Sequence, residues 1–250
     1  MQVIFSFVLF GVFCKTLGEE SFLPPYIQTC HIDDKEISKC IKEQIEASLP
    51  YFTKGVPELN VPSIDPVQLN DIKIDGNGLL LKFTNAEMHG LSESKLTDLI
   101  VNVGTVDQEF RLTFKGNLNL TALYEVQGRI LILPIEGNGD AVVTAQGVEV
   151  EINSKLTQVK DAKGQEHFKL ITPTYKYTIE KTTFDLKNLF NGNKQLAETT
   201  LQFANDNWQQ LMDDLAPPAI KQIVRTCVKA INKFFSNVTI SRIIRGYKPI

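Results

Sequence analysis

The sequence predicts an α+β fold in which a strongly curved antiparallel β-sheet wraps a long C-terminal amphipathic helix. Between residues 72 and 180, apolar and polar residues alternate with a period of two, as in strands that bury one face. From Lys194 to about Phe235, apolar residues instead recur at steps of three and four, as on one side of a helix. A dry sheet face and a half-apolar helix must bury each other, and a curled sheet along such a helix makes a tube.

The composition is that of a globular protein with a substantial core. The chain has 250 residues, of which 43% are apolar and 22% charged, enough for one elongated domain or two small ones. Its formal net charge is −3, and the chain lacks the clustered Lys and Arg that binding to nucleic acid or to an anionic membrane surface would require. We therefore expect no nucleic-acid partner and no stable membrane anchor. We also expect a monomer.

The first residues predict a secretory signal peptide. The apolar run VIFSFVLFGVFC is about a dozen residues long, whereas a helix that spans a membrane needs roughly 20. Thr16-Leu17-Gly18 supplies small residues where a signal peptidase cleaves. We expect cleavage after Gly18, so that residues 1–18 are the signal and residues 19–250 form a single extracellular domain. A buried N-terminal strand or helix is the alternative.

Secretion would place the remaining cysteines in an oxidising compartment. Cys14 leaves with the signal, and Cys30 and Cys40 are close in sequence. A disulfide between them would tie the entry of the chain to the first helix. Cys227 then has no partner, and we expect a buried thiol on the long helix, with dimerisation through it as the alternative.

The first helix is predicted from about Asp34 to Leu49, with Asp33 as N-cap and Glu36 as its capping-box partner. The segment GVPELNVPSIDP, residues 55–66, follows and is called the proline strap here. It combines three prolines with four apolar residues. Because proline donates no backbone hydrogen bond, we expect an extended strap that plugs one end of the tube together with the first helix.

Within the predicted sheet, the alternation separates an inward face from an outward face. Turn signals are expected at Gly76-Asn77-Gly78, at EGNGD (residues 136–140) and at DAKGQE (residues 161–166). The inward candidates on the sheet are Leu81, Phe83, Phe110, Leu112, Phe114, Tyr124, Ile130, Ile132, Tyr175 and Tyr177. Those on the helix are Trp208, Leu211, Leu215, Ile223 and Phe234.

Each of these side chains either lines a ligand tunnel or packs in an ordinary core. The alternation of apolar and polar residues shows which face is inward, but not where a tunnel begins. Tyr124, Tyr175 and Tyr177 are the candidate hydrogen-bond donors inside the tube. Along the long helix, Pro217-Pro218 predicts a kink or a break into two coaxial pieces.

Two N-x-Ser/Thr sequences follow the predicted signal, at Asn119 and Asn237. In a secreted protein each is a candidate glycosylation site and therefore a prediction of surface exposure. Asn119 falls on the polar side of its strand, in agreement with the assignment of faces.

An enzyme is the rival class of protein. In GLSES, Ser94 stands where the nucleophile elbow of hydrolases requires a second glycine, so Ser92 does not match that motif. His31, His89 and His167 are scattered without metal-ligand spacing, and we expect them on the surface. The sequence thus predicts no catalytic residue, no metal site and no cofactor, with hydrolysis of apolar esters as the alternative to test.

Several motifs occur together along the chain. The Cys30 and Cys40 pair precedes GVPELNVPSIDP, and GLSESKL, YEVQGRILILPIEGNGDA and LKNLFNGNKQLAETTLQFANDNWQQL follow. The most specific are VPELNVPSIDP and LFNGN with the N-x-x-W sequence from Asn205 to Trp208. In this order, across essentially the whole mature chain, they resemble the insect takeout and juvenile-hormone-binding protein family.

The resemblance implies one tubular lipid-binding module, related to the domains of bactericidal/permeability-increasing proteins. It implies a carrier in haemolymph or another extracellular fluid that holds one elongated hydrophobic ligand, namely a terpenoid hormone, carotenoid, quinone or fatty acyl lipid. The hormone binders of this family have a second disulfide between the long helix and the sheet. Since Cys227 has no cysteine partner in the strands, the chain resembles the takeout branch more. A secreted signalling or interaction protein without a bound ligand is the alternative.

Overall fold

A long helix packed along a large antiparallel sheet organises the chain, which confirms the predicted α+β fold class. The computed structural model describes residues 22–102 and 108–248. The expected signal peptide, residues 1–18, lies outside these ranges.

The strands are β1 (Cys30–His31), β2 (Val67–Leu69), β3 (Ile72–Gly76), β4 (Leu79–His89), β5 (Lys95–Val101), β6 (Gln108–Ile130), β7 (Leu133–Lys160), β8 (Glu166–Thr178), β9 (Lys181–Leu186) and β10 (Ile244–Arg245). The helices are α1 (Ile37–Phe52), α2 (Lys194–Asp206), α3 (Trp208–Asn237) and α4 (Ile240–Ile243). Strands β1 and β10 pair in parallel and so join the two ends of the described chain.

Two long strands form the middle of the sheet. Strand β6 has 23 residues and β7 has 28, and they pair along almost their whole length. Strands β4 and β5 pair one after the other with β6, while β8 and β9 share the far side of β7. Strands β2 and β3 continue the sheet beyond β4. Because α3 contacts strands on both sides of this arrangement, β2 and β3 as well as β8 and β9, the sheet wraps the helix.

The segment EGNGD, residues 136–140, is not the turn that its composition predicts. It lies inside β7 and pairs with β6. Its glycines instead allow a close approach, because a Cβ added at Gly137 would lie 2.9 Å from the Cα of Leu189. The prediction failed because glycine serves turns and close backbone contacts equally well.

Of the kink or break predicted at Pro217-Pro218, the break falls at a different place. Helix α3 continues through Pro217 and Pro218, and the interruption is at Asn207, between α2 and α3. The side chain of Asn207 donates a hydrogen bond of 2.8 Å to Phe203 O at the end of α2. Ala216 and Ile220 are buried on either side of the prolines, and we attribute the continuity of α3 to this packing.

Helix α1 begins at Ile37, later than predicted, and without the expected capping box. The side chain of Asp34 instead accepts a hydrogen bond of 2.9 Å from Glu36 N and holds a local turn ahead of the helix. The predicted disulfide is present: Cys30 and Cys40 are bonded, with their Cα atoms 6.0 Å apart. It ties β1 to the first turn of α1.

The proline strap packs its apolar residues into the core as predicted, but it is not simply extended. Its four apolar side chains, Val56, Leu59, Val61 and Ile64, are all buried. Val56 and Val61 exchange two backbone hydrogen bonds, of 2.9 and 3.1 Å, around a 3₁₀ turn at Pro57–Leu59. The strap therefore satisfies its own backbone in a closed loop, which explains how it packs without a neighbouring strand.

Candidate functional site

An apolar cavity of about 260 Å³ lies between α1, α3 and the middle of the sheet. Its walls include Phe110 and Leu112 of β6, Ile152 of β7 and Ile223 of α3. Helix α1 closes it with four apolar residues that follow one another at steps of four, four and three along the helix: Ile41, Ile45, Leu49 and Phe52. This spacing is visible in the sequence and could have identified the face of α1 that lines the cavity.

The cavity is large enough for an organic ligand. An apolar cavity of about 150 Å³ stays dry and binds benzene, so 260 Å³ can hold a longer molecule. Pockets for drug-sized ligands run from about 300 to 1,000 Å³. The volume suits a compact or slender hydrophobic ligand, with little room for bulky polar groups.

The described walls of this cavity carry no charged side chain. Among the described residues that line it, none is Lys, Arg, His, Asp or Glu. The polar side chains are Gln28, Gln44, Ser48, Thr53 and Ser94. Because transfer of a charged group into such surroundings without a partner is strongly unfavourable, the site favours a neutral ligand.

A second, smaller cavity of about 50 Å³ continues the apolar interior. Leu118 of β6, Val148 of β7 and Ile220 of α3 line both cavities. These three residues, called the partition here, therefore stand between the two spaces.

Seven of the fifteen predicted inward residues contribute to these cavities. Phe110, Leu112, Phe114, Ile223 and Phe234 line the larger one, and Phe83 and Leu215 line the smaller one. Leu81, Tyr124 and Ile130 are buried but line neither cavity. Tyr175, Tyr177, Trp208 and Leu211 are half-buried against the core and also line neither cavity.

The prediction that Ile132 faces the interior is wrong. Ile132 is 80% exposed at the turn between β6 and β7. The chain reverses at Leu131, which has a φ of 55°, so the alternation that holds up to Ile130 ends there. The prediction extended the alternation of the strand through this position, where the structure has a turn.

Of the candidate hydrogen-bond donors, Tyr124 has a structural partner. Its hydroxyl donates a hydrogen bond of 2.6 Å to Lys187 O, and burial raises the pKa of Tyr124 to about 12. This bond attaches the segment after β9 to the sheet. Tyr247, which the sequence did not single out, is comparable: it donates to Glu166 Oε2 at 2.7 Å, and burial and this bond raise its pKa to about 12.

Cys227 lines the larger cavity and forms no disulfide with any described cysteine. Cys227 is half-buried rather than fully buried as expected, and desolvation of its thiol raises the pKa to about 12. His167 departs from the expected surface position and is 5% exposed. Its Nδ1 lies 2.9 Å from Phe235 O and 3.1 Å from Val238 O, so it joins β8 to the end of α3.

The hydroxyl of Ser92 forms a structural hydrogen bond. It donates to Asp65 Oδ2 at 2.5 Å, and Asp65 also accepts from the backbone of Gly90 and of Ser92. No hydrogen bond joins Ser92 to a histidine in the described chain, and it does not line the larger cavity. Across residues 22–102 and 108–248, no three His, Cys, Asp or Glu residues are grouped so that they could hold a metal ion.

Comparison with known proteins gives consistent matches. Residues 7–245 match the model of the haemolymph juvenile hormone binding protein family. The circadian clock-controlled protein daywake of Drosophila melanogaster is 26% identical over 93% of this chain and 90% of its own length. A Schistocerca gregaria protein named "Putative beta-carotene-binding protein" is 19% identical over 89% of this chain and 90% of its own.

Among solved structures, Epiphyas postvittana Takeout 1 superposes with a TM-score of 0.80. It is 27% identical and covers 88% of this chain and 100% of its own. None of the helices that the structure describes is both long and apolar enough to cross a membrane.

Proposed function

Because the chain belongs to the haemolymph juvenile hormone binding protein family, which includes the takeout proteins, we propose that it carries one elongated hydrophobic molecule. The observation that carries this proposal is the cavity of about 260 Å³ with no charged residue among its described walls. A family of binding proteins also fits the environment of Ser92, whose hydroxyl is bonded to Asp65.

Apolar burial alone supplies enough free energy for carriage. Each Å² of apolar surface removed from water contributes about 25 cal/mol. An enclosed chain of about 15 to 30 carbons would therefore bind with micromolar or better affinity, even after the loss of its freedom of motion. The candidate ligands are terpenoid hormones, quinones, fatty acyl lipids and carotenoids. A carotenoid or a long polyprenyl quinone would need the partition to open, since both are longer than a fatty acyl chain.

The proposal includes an extracellular location, with residues 1–18 removed as a signal peptide. The Cys30–Cys40 disulfide supports it, because such bonds persist in oxidising compartments. The name of the family, which refers to haemolymph, supports it as well. We propose a monomer, with a hydrophobic small molecule as its partner.

Native mass spectrometry of protein purified from its natural source tests the proposal. We expect one neutral hydrophobic molecule per chain, released by organic extraction, and an absorption spectrum would identify a pigment. A chain that is empty and refuses fluorescent acyl probes would support a secreted interaction protein instead. Turnover of apolar esters that Ser92→Ala abolishes would overturn the binding-protein assignment in favour of a hydrolase.

A matched pair of variants locates the ligand. Ile223→Phe adds volume to the wall of the larger cavity, whereas Ile132→Phe makes the same change at a position that is 80% exposed. We expect the first to lower the amount of bound ligand severalfold and the second to leave it unchanged. Equal loading of both variants would show that the ligand lies elsewhere.

A further inference from the structure

We infer that Gln44 of α1 binds the polar end of the ligand, and that this end is a hydrogen-bond acceptor: an ester, ketone, quinone or epoxide oxygen. The inference rests on the proposed carriage and specifies the chemistry of the ligand. It follows from the orientation of one amide group and from the hydrogen bonds of the other polar groups in the cavity.

The amide of Gln44 is oriented by the backbone. Gln28 N lies 3.0 Å from Gln44 Oε1, and a backbone N–H can only donate. The atom that faces Gln28 must therefore be the oxygen, which removes the usual ambiguity between the two ends of an amide. Nε2 is left with both of its N–H groups, and within the described residues it has no acceptor.

The hydroxyl groups of the cavity are already engaged as donors. Ser48 donates to Ile45 O at 3.2 Å, Thr53 to Leu49 O at 2.8 Å and Ser94 to Gly90 O at 3.1 Å. Each hydroxyl has a single proton, so none of these groups is left to donate to a ligand.

Only glutamine side chains among the described polar wall residues therefore keep unused donors. The side chain of Gln28 is exposed and can bond to water, whereas Gln44 is half-buried.

The position of Gln44 suits a polar end group. It lines the cavity beside Ile41 and Ile45, and the neighbouring wall residue Gln28 is exposed, so the cavity reaches the surface at this end. A ligand could place its hydrocarbon along Phe110 and Ile223 and its oxygen at Gln44. With no Lys or Arg among the described wall residues, a neutral acceptor is favoured over a carboxylate.

The test compares two ligands of similar length, methyl palmitate and heptadecane, by displacement of a fluorescent acyl probe. Wild type should prefer the ester by about fivefold to tenfold, the range typical of one net hydrogen bond. In Gln44→Glu an oxygen can still accept from Gln28 N, but both amide donors are lost. We expect this variant to lose the preference for the ester over heptadecane.

Two controls separate the possible failures. Ser48→Ala removes a hydroxyl of the same cavity and should keep the preference for the ester. Gln44→Leu should bind heptadecane at least as well as wild type, which shows that the cavity is intact. Equal binding of both ligands by wild type, or a preference that survives in Gln44→Glu, would overturn the role of Gln44 alone. If neither ligand binds to wild type, the proposed carriage fails as well.

Discussion

Asn232 of α3 is joined to the backbone of Leu170 in β8 by two hydrogen bonds. Leu170 N donates to Asn232 Oδ1 at 2.7 Å, and Asn232 Nδ2 donates to Leu170 O at 2.9 Å. Asn205 of α2 makes the same pair with Phe184 of β9, at 2.7 and 3.1 Å. In both cases an amide side chain takes the place of a missing neighbouring strand. The helices are thus hydrogen-bonded to strands at the margin of the sheet as well as packed against it.

Loss of one such pair should destabilise the fold measurably. Asn232→Leu keeps a similar volume but leaves the N–H and C=O of Leu170 without partners, and we expect a loss of about 2–3 kcal/mol in the free energy of unfolding. Urea denaturation measures it. Lys229→Ala, at an exposed position of the same helix, should change stability by less than about 0.5 kcal/mol. Equal midpoints for Asn232→Leu and wild type would contradict the role of this pair.

The partition should control the length of the ligand. Ile220 lines both cavities, and Ile220→Ala should join them. We expect this variant to gain affinity for a long polyprenyl quinone relative to methyl palmitate, as measured by competition. Ile231→Ala is the matched control, because Ile231 lines the larger cavity only. The idea is wrong if both variants alter the relative affinity to the same extent.

Cys227 offers a direct probe of cavity occupancy. Desolvation raises the pKa of the half-buried Cys227 thiol to about 12, so little thiolate forms at pH 8 and alkylation should be much slower than in urea. A bound ligand should slow it further, because Cys227 lines the cavity. Mass spectrometry after timed exposure to a neutral maleimide gives the rates. A rate that saturating ligand leaves unchanged would place the ligand away from α3.

Stability should fall in alkaline solution. Burial raises the pKa of Tyr124 to about 12 from the ordinary tyrosine value of 10.0. Between these values the folded state binds more protons than the unfolded state, so the free energy of unfolding decreases as pH rises. Below pH 10 this contribution is fully present. Tyr124→Phe removes the group, and we expect a smaller slope of stability against pH between 10 and 12. Parallel curves for the two proteins would refute the assignment.

The two glycosylation candidates should behave differently. Asn119 is exposed on β6, and its Oδ1 accepts from Thr144 while Nδ2 stays available. Nδ2 of Asn237 donates to Leu59 O at 3.1 Å and to Lys233 O at 2.8 Å, which fastens the proline strap to α3. A glycan there would disturb these bonds. Intact masses of Asn119→Gln and Asn237→Gln from a eukaryotic secretory host should show a glycan lost only with Asn119.

Local periodicity predicted the elements well wherever one face alone is buried. The alternation along β6 places Phe110 and Leu112 inside and Asn119 outside, as the structure shows. Errors arose where a residue type has two structural uses. Gly137 permits a close contact instead of a turn, and Pro217 does not break α3 into two pieces. At Ile132 the chain turns before the alternation can continue.

The sequence alone determined which faces are apolar, because apolar residues recur every two positions in the strands and every three or four in the helix. It therefore also determined that sheet and helix bury each other. The alternation does not locate an empty space: Leu81 and Phe110 both lie on the inward face of the sheet with similar burial, yet of the two only Phe110 lines a cavity. The void forms where α1 crosses the wall, and Gln44 acquires its orientation from Gln28, sixteen residues away. Both depend on how distant segments pack, since a volume that no side chain fills is a property of the assembled tertiary structure.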